Sequence, residues 1–246
     1  MPSSLHPTAV LFDLDDTLFD HQHGTREALA VLRRRHACLQ RWTVPDLAAR
    51  HSTLLERLHL EVLAGRLTVD DARQHRFSTL FADADEVVTS EGAAAISTEY
   101  RHAYVAAWRL VPGAFDLLTV LRGRVCVGIV TNNVVSEQTT KIVSLGIAQL
   151  VDVVVISEAV GVHKPDPRIF EMTLDRLGCA AADAVMVGDS WATDIEWARA
   201  AGLSAVWFNP GGSPCPDGVR VPVLTSLAPA DRSAAVILGE ASGMRP

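Results

Sequence analysis

The ten residues Ala9-Val-Leu-Phe-Asp-Leu-Asp-Asp-Thr-Leu18 form an apolar run that ends abruptly in three carboxylates. Such a run is typical of a strand that is buried on both faces of a parallel sheet. Asp13, Asp15 and Asp16 then lie at the carboxyl end of that strand, where open α/β sheets bind their ligands. Clustered carboxylates repel each other unless a cation or a shared proton offsets their charge. The segment therefore predicts a site for a hard cation, most simply Mg²⁺; the alternative is an ordinary polar transition from strand to loop.

The composition is that of a folded, water-soluble protein. Of the 246 residues, 48% are hydrophobic and 21% are charged, which excludes an intrinsically disordered chain. The formal net charge of −7 argues against a nucleic-acid polymer or an anionic membrane as the main partner. No apolar run approaches the ~18 residues of a membrane helix, and the segment after Met1 lacks the pattern of a signal peptide. We therefore expect a cytoplasmic protein.

The four cysteines, Cys38, Cys126, Cys179 and Cys215, are scattered and include no Cys-x-x-Cys pair. Their spacing forms no zinc motif and is typical of a reduced compartment. Cys126 lies inside an apolar strand pattern, and so we expect its side chain to be buried as a small hydrophobic group.

Helical patterning extends from about Thr25 to Trp108 without a segment that resembles a strand. Within it, Pro45 fits the first turn of one helix and Thr68 fits the N-cap of another. Several helices in succession without strands predict a bundle. This bundle interrupts an α/β core directly after its first strand. The sequence thus predicts a discontinuous core domain at 1–19 and 109–246 and an inserted helical domain at 20–108.

Strands and helices alternate from Pro112 onward. Each predicted strand is short, apolar and rich in β-branched residues, and each predicted helix is followed by a glycine that fits its C-cap. Such alternation predicts a parallel sheet with right-handed crossovers. The predicted strands are Val125–Val130, Val151–Ser157, Ala184–Val187 and Ala205–Phe208, with a last one near Val221–Leu224, and the predicted helices are Ser136–Leu145, Pro167–Leu177 and Thr193–Ala201.

Polar residues follow the predicted core strands at corresponding ends. Thr131 and Asn132 come after the second strand, Asp189 comes after the fourth, and Lys164 precedes a helix. Because the carboxyl ends of parallel strands share one rim, we expect these side chains to converge with the carboxylates that follow the first strand. Carboxylates, a hydroxyl and a lysine in one place favour phosphoryl transfer through an aspartyl-phosphate.

These motifs and their order resemble the haloacid dehalogenase (HAD) superfamily over essentially the whole chain. The resemblance implies an α/β fold with a Rossmann-like parallel-sheet core and a helical cap inserted after the first motif. Two stretches, Val155–Lys164 and Val185–Ser190, look most like pyrimidine 5′-nucleotidases, and the same motifs resemble N-acylneuraminate-9-phosphatases and sugar-phosphate phosphatases. The four matching motifs are Asp13-x-Asp15-x-Thr17, Thr131, Lys164 and Gly188-Asp189-x-x-x-x-Asp194.

The resemblance implies catalytic and substrate-binding roles. Asp13 would attack phosphorus, and Asp15 would protonate the leaving oxygen and then deprotonate the attacking water. Lys164 would offset the charge of Asp13 and would also bind the phosphate. Thr131 and the backbone of Asn132 would bind phosphate oxygens.

The resemblance also implies a Mg²⁺ site. Asp13, Asp15 (through its backbone carbonyl) and Asp189 would be the protein ligands of the ion. Asp194 would hold a metal-bound water or Lys164, and Thr17 would likewise support the site from behind the ligands. Asn133 replaces the glycine that often closes the second motif in relatives, and it places a side chain near the expected phosphate pocket.

The leading hypothesis is a Mg²⁺-dependent phosphomonoesterase for a small phosphorylated metabolite, first of all a nucleoside 5′-monophosphate. The alternatives are a sugar-phosphate phosphatase of a biosynthetic pathway, a phosphomutase, a 2-haloacid dehalogenase and a binding protein without catalysis. Dehalogenases of the superfamily lack an acidic residue two positions after the nucleophile, so Asp15 disfavours that reaction. All four motifs are intact, which disfavours a protein without catalysis. The sequence does not indicate an oligomeric state.

Overall fold

The computed structural model of the chain describes residues 6–63, 65–216 and 218–240. The chain divides into two compact units. The first unit comprises the segments up to Asp20 and from Arg109 onward, and the second comprises His21–Trp108. These limits differ by one residue from the predicted domain boundaries, and the ends of the predicted core domain, 1–5 and 241–246, lie outside the described residues. The role of the second unit as a cap stays a prediction.

The described part of the second unit consists of helices joined by short turns and loops. Thr68 and Thr89 begin two of its helices, because their side chains accept hydrogen bonds from the backbone N–H groups of Asp71 and Gly92. The N-cap predicted at Thr68 is thus present. The helices are α1 (His21–Arg35), α2 (Val44–Leu63), α3 (Val69–Ala82) and α4 (Ser90–Ala106), with a 3-10 turn at Ala37–Arg41.

A six-stranded parallel sheet forms the centre of the first unit. The strands are β1 (Ala9–Phe12), β2 (Cys126–Thr131), β3 (Val153–Ile156), β4 (Ala184–Gly188), β5 (Ser204–Phe208) and β6 (Val223–Leu224). Their order is β3-β2-β1-β4-β5-β6, and every neighbouring pair is parallel. This is the strand order of doubly wound Rossmann-like sheets, which confirms the predicted fold class. All four residues of β1 are buried between β2 and β4.

Helices connect the strands of the first unit. In α8, buried residues recur at the three- and four-residue spacing of a helix that packs one face on a sheet. Gly178 ends this helix in the left-handed conformation, with φ of 65°, as the predicted C-cap requires. None of the helices in the described ranges is long and apolar enough to cross a bilayer. The helices are α5 (Ala114–Leu121), α6 (Val135–Ser144), α7 (Ser157–Val160), α8 (Arg168–Leu177), α9 (Glu196–Ala200) and α10 (Ala230–Ile237).

Two local predictions were wrong. Cys126 is exposed rather than buried, because it is the first residue of β2 and the buried part of the strand begins at Val127. The strand predicted at Val151–Ser157 is shorter at both ends, since Ser157 already belongs to α7. Neither difference moves a predicted motif away from the end of its strand.

Candidate active site

The strand order places a topological switch point between β1 and β4. The chain continues from β1 toward β2 and β3 on one side, and from β4 toward β5 and β6 on the other. Ligands of open α/β sheets bind in the crevice that such a reversal creates. Asp13 follows β1 and Asp189 follows β4, and the backbone N–H of Asp13 donates to the carbonyl oxygen of Val187 at 2.9 Å. The two carboxylates therefore lie on adjacent strands at the same rim.

Lys164 joins Asp13 to Asp194. Its Nζ donates to Oδ1 of Asp13 at 2.5 Å and to Oδ1 of Asp194 at 2.7 Å. All three side chains are buried, and hydrogen bonds between ionised groups at these distances are strong and directional. The fold thus brings together residues of the first, third and fourth predicted motifs.

Asn132 fixes the chain segment that carries Lys164. Its Oδ1 accepts from the backbone N–H of Lys164 at 2.8 Å, and its Nδ2 donates to the carbonyl oxygen of Lys164 at 2.9 Å. The backbone of Asn132 stays the predicted phosphate-binding group, and the structure adds this second role for its side chain. Asn133 uses its side chain locally, since its Oδ1 accepts from the N–H of Val134 at 2.8 Å.

Thr17 and Gly188 shape the loop that follows β4. The Oγ1 of Thr17 accepts from the backbone N–H of Asp189 at 3.0 Å and donates to its Oδ1 at 3.4 Å. Thr17 therefore holds Asp189 through two contacts, and its supporting role at a metal site stays a prediction. A Cβ atom on Gly188 would collide with the carboxylate of Asp194. A glycine at this position is what allows Asp194 to approach the end of the strand.

Burial dominates the electrostatics of this cluster. It raises the pKa of Asp13 well above its usual range, and the carboxylates of Asp194 and Asp189 add to the rise while Lys164 opposes it. Burial, followed by the charge of Asp194, raises the pKa of Asp189 to about 7. For Lys164, burial alone would lower the pKa, but Asp13 and Asp194 outweigh it and raise the pKa. One ammonium group therefore faces three carboxylates, and negative charge is in excess.

The donor set of the cluster suits a hard divalent cation. Oxygen atoms of Asp13, Asp189 and Asp194 lie within 4.8 Å of one another. Mg²⁺ prefers carboxylate oxygens, and its charge would offset the mutual repulsion of these carboxylates, which adds to the rise that burial causes in the pKa of Asp13 and Asp189. The residues present therefore fit Mg²⁺. The structure places the side chain of Asp194 in this cluster rather than that of Asp15, and the assignment of the individual ligands stays a prediction.

The carboxylate of Asp15 contacts α6. Its Oδ1 accepts from Nζ of Lys141 at 2.6 Å, and its Oδ2 accepts from Nε2 of Gln138 at 2.9 Å. The same Nε2 donates to Oγ1 of Thr131 at 2.7 Å. The predicted acid–base residue and the predicted phosphate-binding hydroxyl thus share one partner.

Reasoning from motifs misses Lys141 and Gln138, because neither belongs to a motif. The composition nevertheless carries a signal for the lysine. The chain has twenty arginines but only two lysines, Lys141 and Lys164. Both lysines are buried, and each forms an ion pair with an aspartate of the first motif.

Comparison with known proteins agrees with this geometry. The family model described as haloacid dehalogenase-like hydrolase matches residues 7–202. The chain therefore belongs to the haloacid dehalogenase-like hydrolases, as its four motifs predicted, and it is an enzyme of that class.

Individual relatives show the range of the family. The ribulose-1,5-bisphosphate 5-phosphatase of Halopiger xanaduensis is 34% identical over 82% of this chain and 85% of its own length. The pyrimidine 5′-nucleotidase YjjG of Escherichia coli is 37% identical over 44% of this chain and 49% of its own length. The crystal structure of the HAD-hydrolase YfnB of Bacillus subtilis bound to magnesium superposes with a TM-score of 0.72 and 28% identity, covering 90% of this chain and 95% of that one. The predicted resemblance, including a nucleotidase among the relatives, is confirmed.

Proposed function

We propose that this hydrolase is a Mg²⁺-dependent phosphomonoesterase that forms an aspartyl-phosphate on Asp13. The observation that carries the proposal is the buried cluster of Asp13, Lys164 and Asp194, with a second acidic residue, Asp15, two positions after the nucleophile. The phosphatases among the relatives and the magnesium-bound structure of YfnB support it. The presence of Asp15 disfavours the dehalogenase alternative.

In the first step, an oxygen of the Asp13 carboxylate attacks phosphorus, and the bond from phosphorus to the ester oxygen breaks. The leaving oxygen takes its proton from Asp15. The ammonium group of Lys164 stabilises negative charge on the phosphoryl group as it is transferred, and the hydroxyl of Thr131 holds one of its oxygens. When bound by the acidic cluster, Mg²⁺ supplies further stabilisation of that charge.

In the second step, Asp15 acts as a base. It takes a proton from a water molecule whose oxygen attacks the phosphorus of the Asp13 phosphate. The bond between phosphorus and the Asp13 oxygen then breaks, so that inorganic phosphate leaves and the carboxylate is regenerated. One residue can serve in both steps because the proton it loses in the first step is returned in the second.

We propose a small phosphate monoester as the substrate. The relative from Halopiger xanaduensis aligns over most of the chain and supports a sugar phosphate. The nucleotidase aligns over less than half of the chain and supports a nucleoside 5′-monophosphate less strongly. We further propose that the helical unit His21–Trp108 selects the leaving group, as expected of the cap that the family resemblance implies.

The experiment that tests this function measures inorganic phosphate released from a panel of sugar phosphates and nucleoside 5′-monophosphates. It is run with Mg²⁺ and with EDTA, on the wild type and on Asp13→Asn. Release that needs Mg²⁺ and is lost in the variant supports the proposal, whereas wild-type turnover by Asp13→Asn overturns the mechanism. Conversion of one sugar phosphate into an isomer with little free phosphate would identify a phosphomutase instead.

A further inference from the structure

We infer that Lys141 and Gln138 of α6 are positioning residues that hold the carboxylate of Asp15 in its working place. The inference rests on the proposed phosphatase reaction. An acid–base residue has to lie within hydrogen-bond reach of the leaving oxygen and later of the attacking water. The loop after β1 carries Asp15, but the groups that fix its carboxylate come from a different element of the fold.

The two contacts hold both oxygens of one carboxylate. Lys141 donates to Oδ1 at 2.6 Å and Gln138 donates to Oδ2 at 2.9 Å, so rotation of the carboxylate about its last side-chain bond would break one contact or both. The side chain of Asp15 remains 27% exposed. Residues of α6 therefore orient the Asp15 carboxylate, and the exposed part of that side chain remains accessible to substrate and water.

The burial of Lys141 supports a role beyond packing. Its side chain is 1% exposed, and its Nζ also lies 3.5 Å from Oε1 of Glu137 and 4.6 Å from the centre of the Phe19 ring. A buried ammonium group is costly, and an apolar residue of similar volume often serves stability as well or better. A lysine at this position of α6 is therefore best explained by its ion pair with Asp15, which holds that carboxylate in place.

Gln138 connects Asp15 to the predicted phosphate-binding residue. It is fully buried, and its Nε2 donates both to Asp15 at 2.9 Å and to Oγ1 of Thr131 at 2.7 Å. One amide group thus sets the separation between the residue that handles the proton and the hydroxyl that holds the phosphate. Such separations matter, because a displacement of about 1 Å can cost on the order of 10²-fold in rate.

The lysine content of the chain also supports a specific role for Lys141. Twenty basic residues are arginines, and the two lysines each face an aspartate of the first motif from a buried position. The ammonium group is compact, whereas the guanidinium group is a larger, planar fork with five donors. Lysine occurs in this chain only where a compact cation has to fit behind a buried or half-buried carboxylate.

A single-turnover experiment tests this inference through the leaving group. Formation of the phosphoryl-enzyme is measured with an alkyl phosphate, whose leaving oxygen needs a proton, and with 4-nitrophenyl phosphate, whose leaving group needs one far less. We expect Lys141→Met to slow the alkyl reaction by on the order of 10²-fold and the aryl reaction much less, with little change in the concentration that gives half of the maximal single-turnover rate. Lys141→Arg should restore part of the loss. Thr139→Met, at an exposed position of the same helix, should match the wild type.

Equal slowing of both substrates by Lys141→Met would overturn the inference, because general damage to the fold does not distinguish leaving groups. An unchanged rate with both substrates would overturn it as well. If the wild type releases phosphate from no ester, the proposed function fails, and that result is distinct from failure at Lys141.

A second measurement tests the contact without turnover. Selective ¹³Cε labelling of lysine gives only two side-chain NMR signals, because the chain has two lysines. The signal of Lys141 is assigned as the one missing in Lys141→Arg, which also serves if Lys141→Met does not fold. We expect Asp15→Asn to shift the Lys141 signal more than that of Lys164. A larger shift at Lys164, or none at either, would contradict the pairing.

Discussion

Each unit of this protein buries an ionisable side chain, and the pKa of that side chain is raised in one unit and lowered in the other. In the first unit, Lys164 is buried between Asp13 and Asp194, and these carboxylates raise its pKa. In the second unit, His51 is 1% exposed, and neither ring nitrogen has a hydrogen-bond partner within the described residues. Its ring stacks on Tyr100 with centroids 5.0 Å apart, and burial lowers its pKa well below the usual range.

The two units differ in whether the buried side chain has partners that let it keep its charge. Burying a charge costs several kcal/mol unless partners compensate for it. In the first unit, Lys164 keeps its positive charge because it is paired with Asp13 and Asp194, and the proposed phosphoryl transfer needs that charge. In the helical unit, burial without partners keeps the imidazole of His51 neutral, and the ring serves as an aromatic packing group. Four experiments test this contrast, in order of decreasing expected effect.

The largest effect is expected at the proposed nucleophile. Asp13→Asn replaces the nucleophilic carboxylate by a neutral amide of similar size, and we expect kcat to fall by at least ~10⁴-fold, or about 5.5 kcal/mol in barrier height. Steady-state phosphate release measures it. Asp116→Asn, the same change at an exposed position of α5, is the control and should keep wild-type turnover. A variant at position 13 that retains more than a trace of activity would refute the role of Asp13.

The next effect concerns the free energy of unfolding, to which the buried cluster of Asp13, Lys164 and Asp194 contributes. Lys164→Met leaves the buried carboxylates of Asp13 and Asp194 without their ammonium partner, and so we expect a loss of about 3–5 kcal/mol in the free energy of unfolding. Urea denaturation in EDTA measures it. Arg168→Met breaks an exposed ion pair with Asp166 and should cost far less. If both variants lost the same free energy of unfolding, the buried ion pairs of Lys164 would matter no more for stability than the exposed pair of Arg168.

The third effect is metal binding without substrate. Mg²⁺ should stabilise the folded protein because it offsets the repulsion among Asp13, Asp189 and Asp194. At about 100 times the dissociation constant, the gain is about 2.7 kcal/mol. Thermal unfolding across a Mg²⁺ titration measures it, with EDTA as the zero point. Asp189→Asn should lose most of the gain, and an undiminished gain in that variant would place the ion elsewhere.

The smallest effect is the acid sensitivity that His51 gives the helical unit. Its pKa in the folded protein lies well below the ordinary value of 6.5, owing first to burial and then to the Coulombic effect of Arg76. Below pH 6.5, the unfolded chain therefore binds a proton that the folded chain does not, and stability falls as the pH falls. By about pH 5, this linkage costs on the order of 1–2 kcal/mol.

His51→Phe keeps an aromatic ring and removes the titrating group, so its free energy of unfolding should depend less on pH between about 7 and 5. Urea denaturation at several pH values shows the difference in slope. His75→Gln, at an exposed position of α3, should keep the wild-type slope. A slope in His51→Phe equal to that of the wild type would contradict this account, because it would mean that His51 binds its proton equally in the folded and the unfolded chain.

The sequence predicts the core sheet well because each strand carries its own local signal. The strands around Val127 and Val185 are apolar and β-branched, and parallel strands place whatever follows them on one rim. The meeting of Asp13 and Lys164 could therefore be foreseen from motif order. Their contact distance could not, since it depends on how the loops after the strands pack.

The partners of Asp15 could not be predicted from local pattern. Lys141 reaches Asp15 across 126 positions of sequence, and on a helix such as α6 a lysine is usually solvated rather than buried. The fourth motif predicts Asp194 at the site, but the closeness of its carboxylate to those of Asp13 and Asp189 could not be predicted, because it depends on the space that Gly188 leaves for it. Both features arise from tertiary packing, which spacing along the chain does not encode.

The most direct test of the aspartyl-phosphate route is to stop the reaction with acid during turnover and locate the phosphoryl group by peptide mass spectrometry. With Mg²⁺ and a substrate from the panel, we predict the phosphoryl group on Asp13 of the wild type and no such adduct in Asp13→Asn. A phosphoryl group attached to a different residue during turnover would contradict the proposed mechanism.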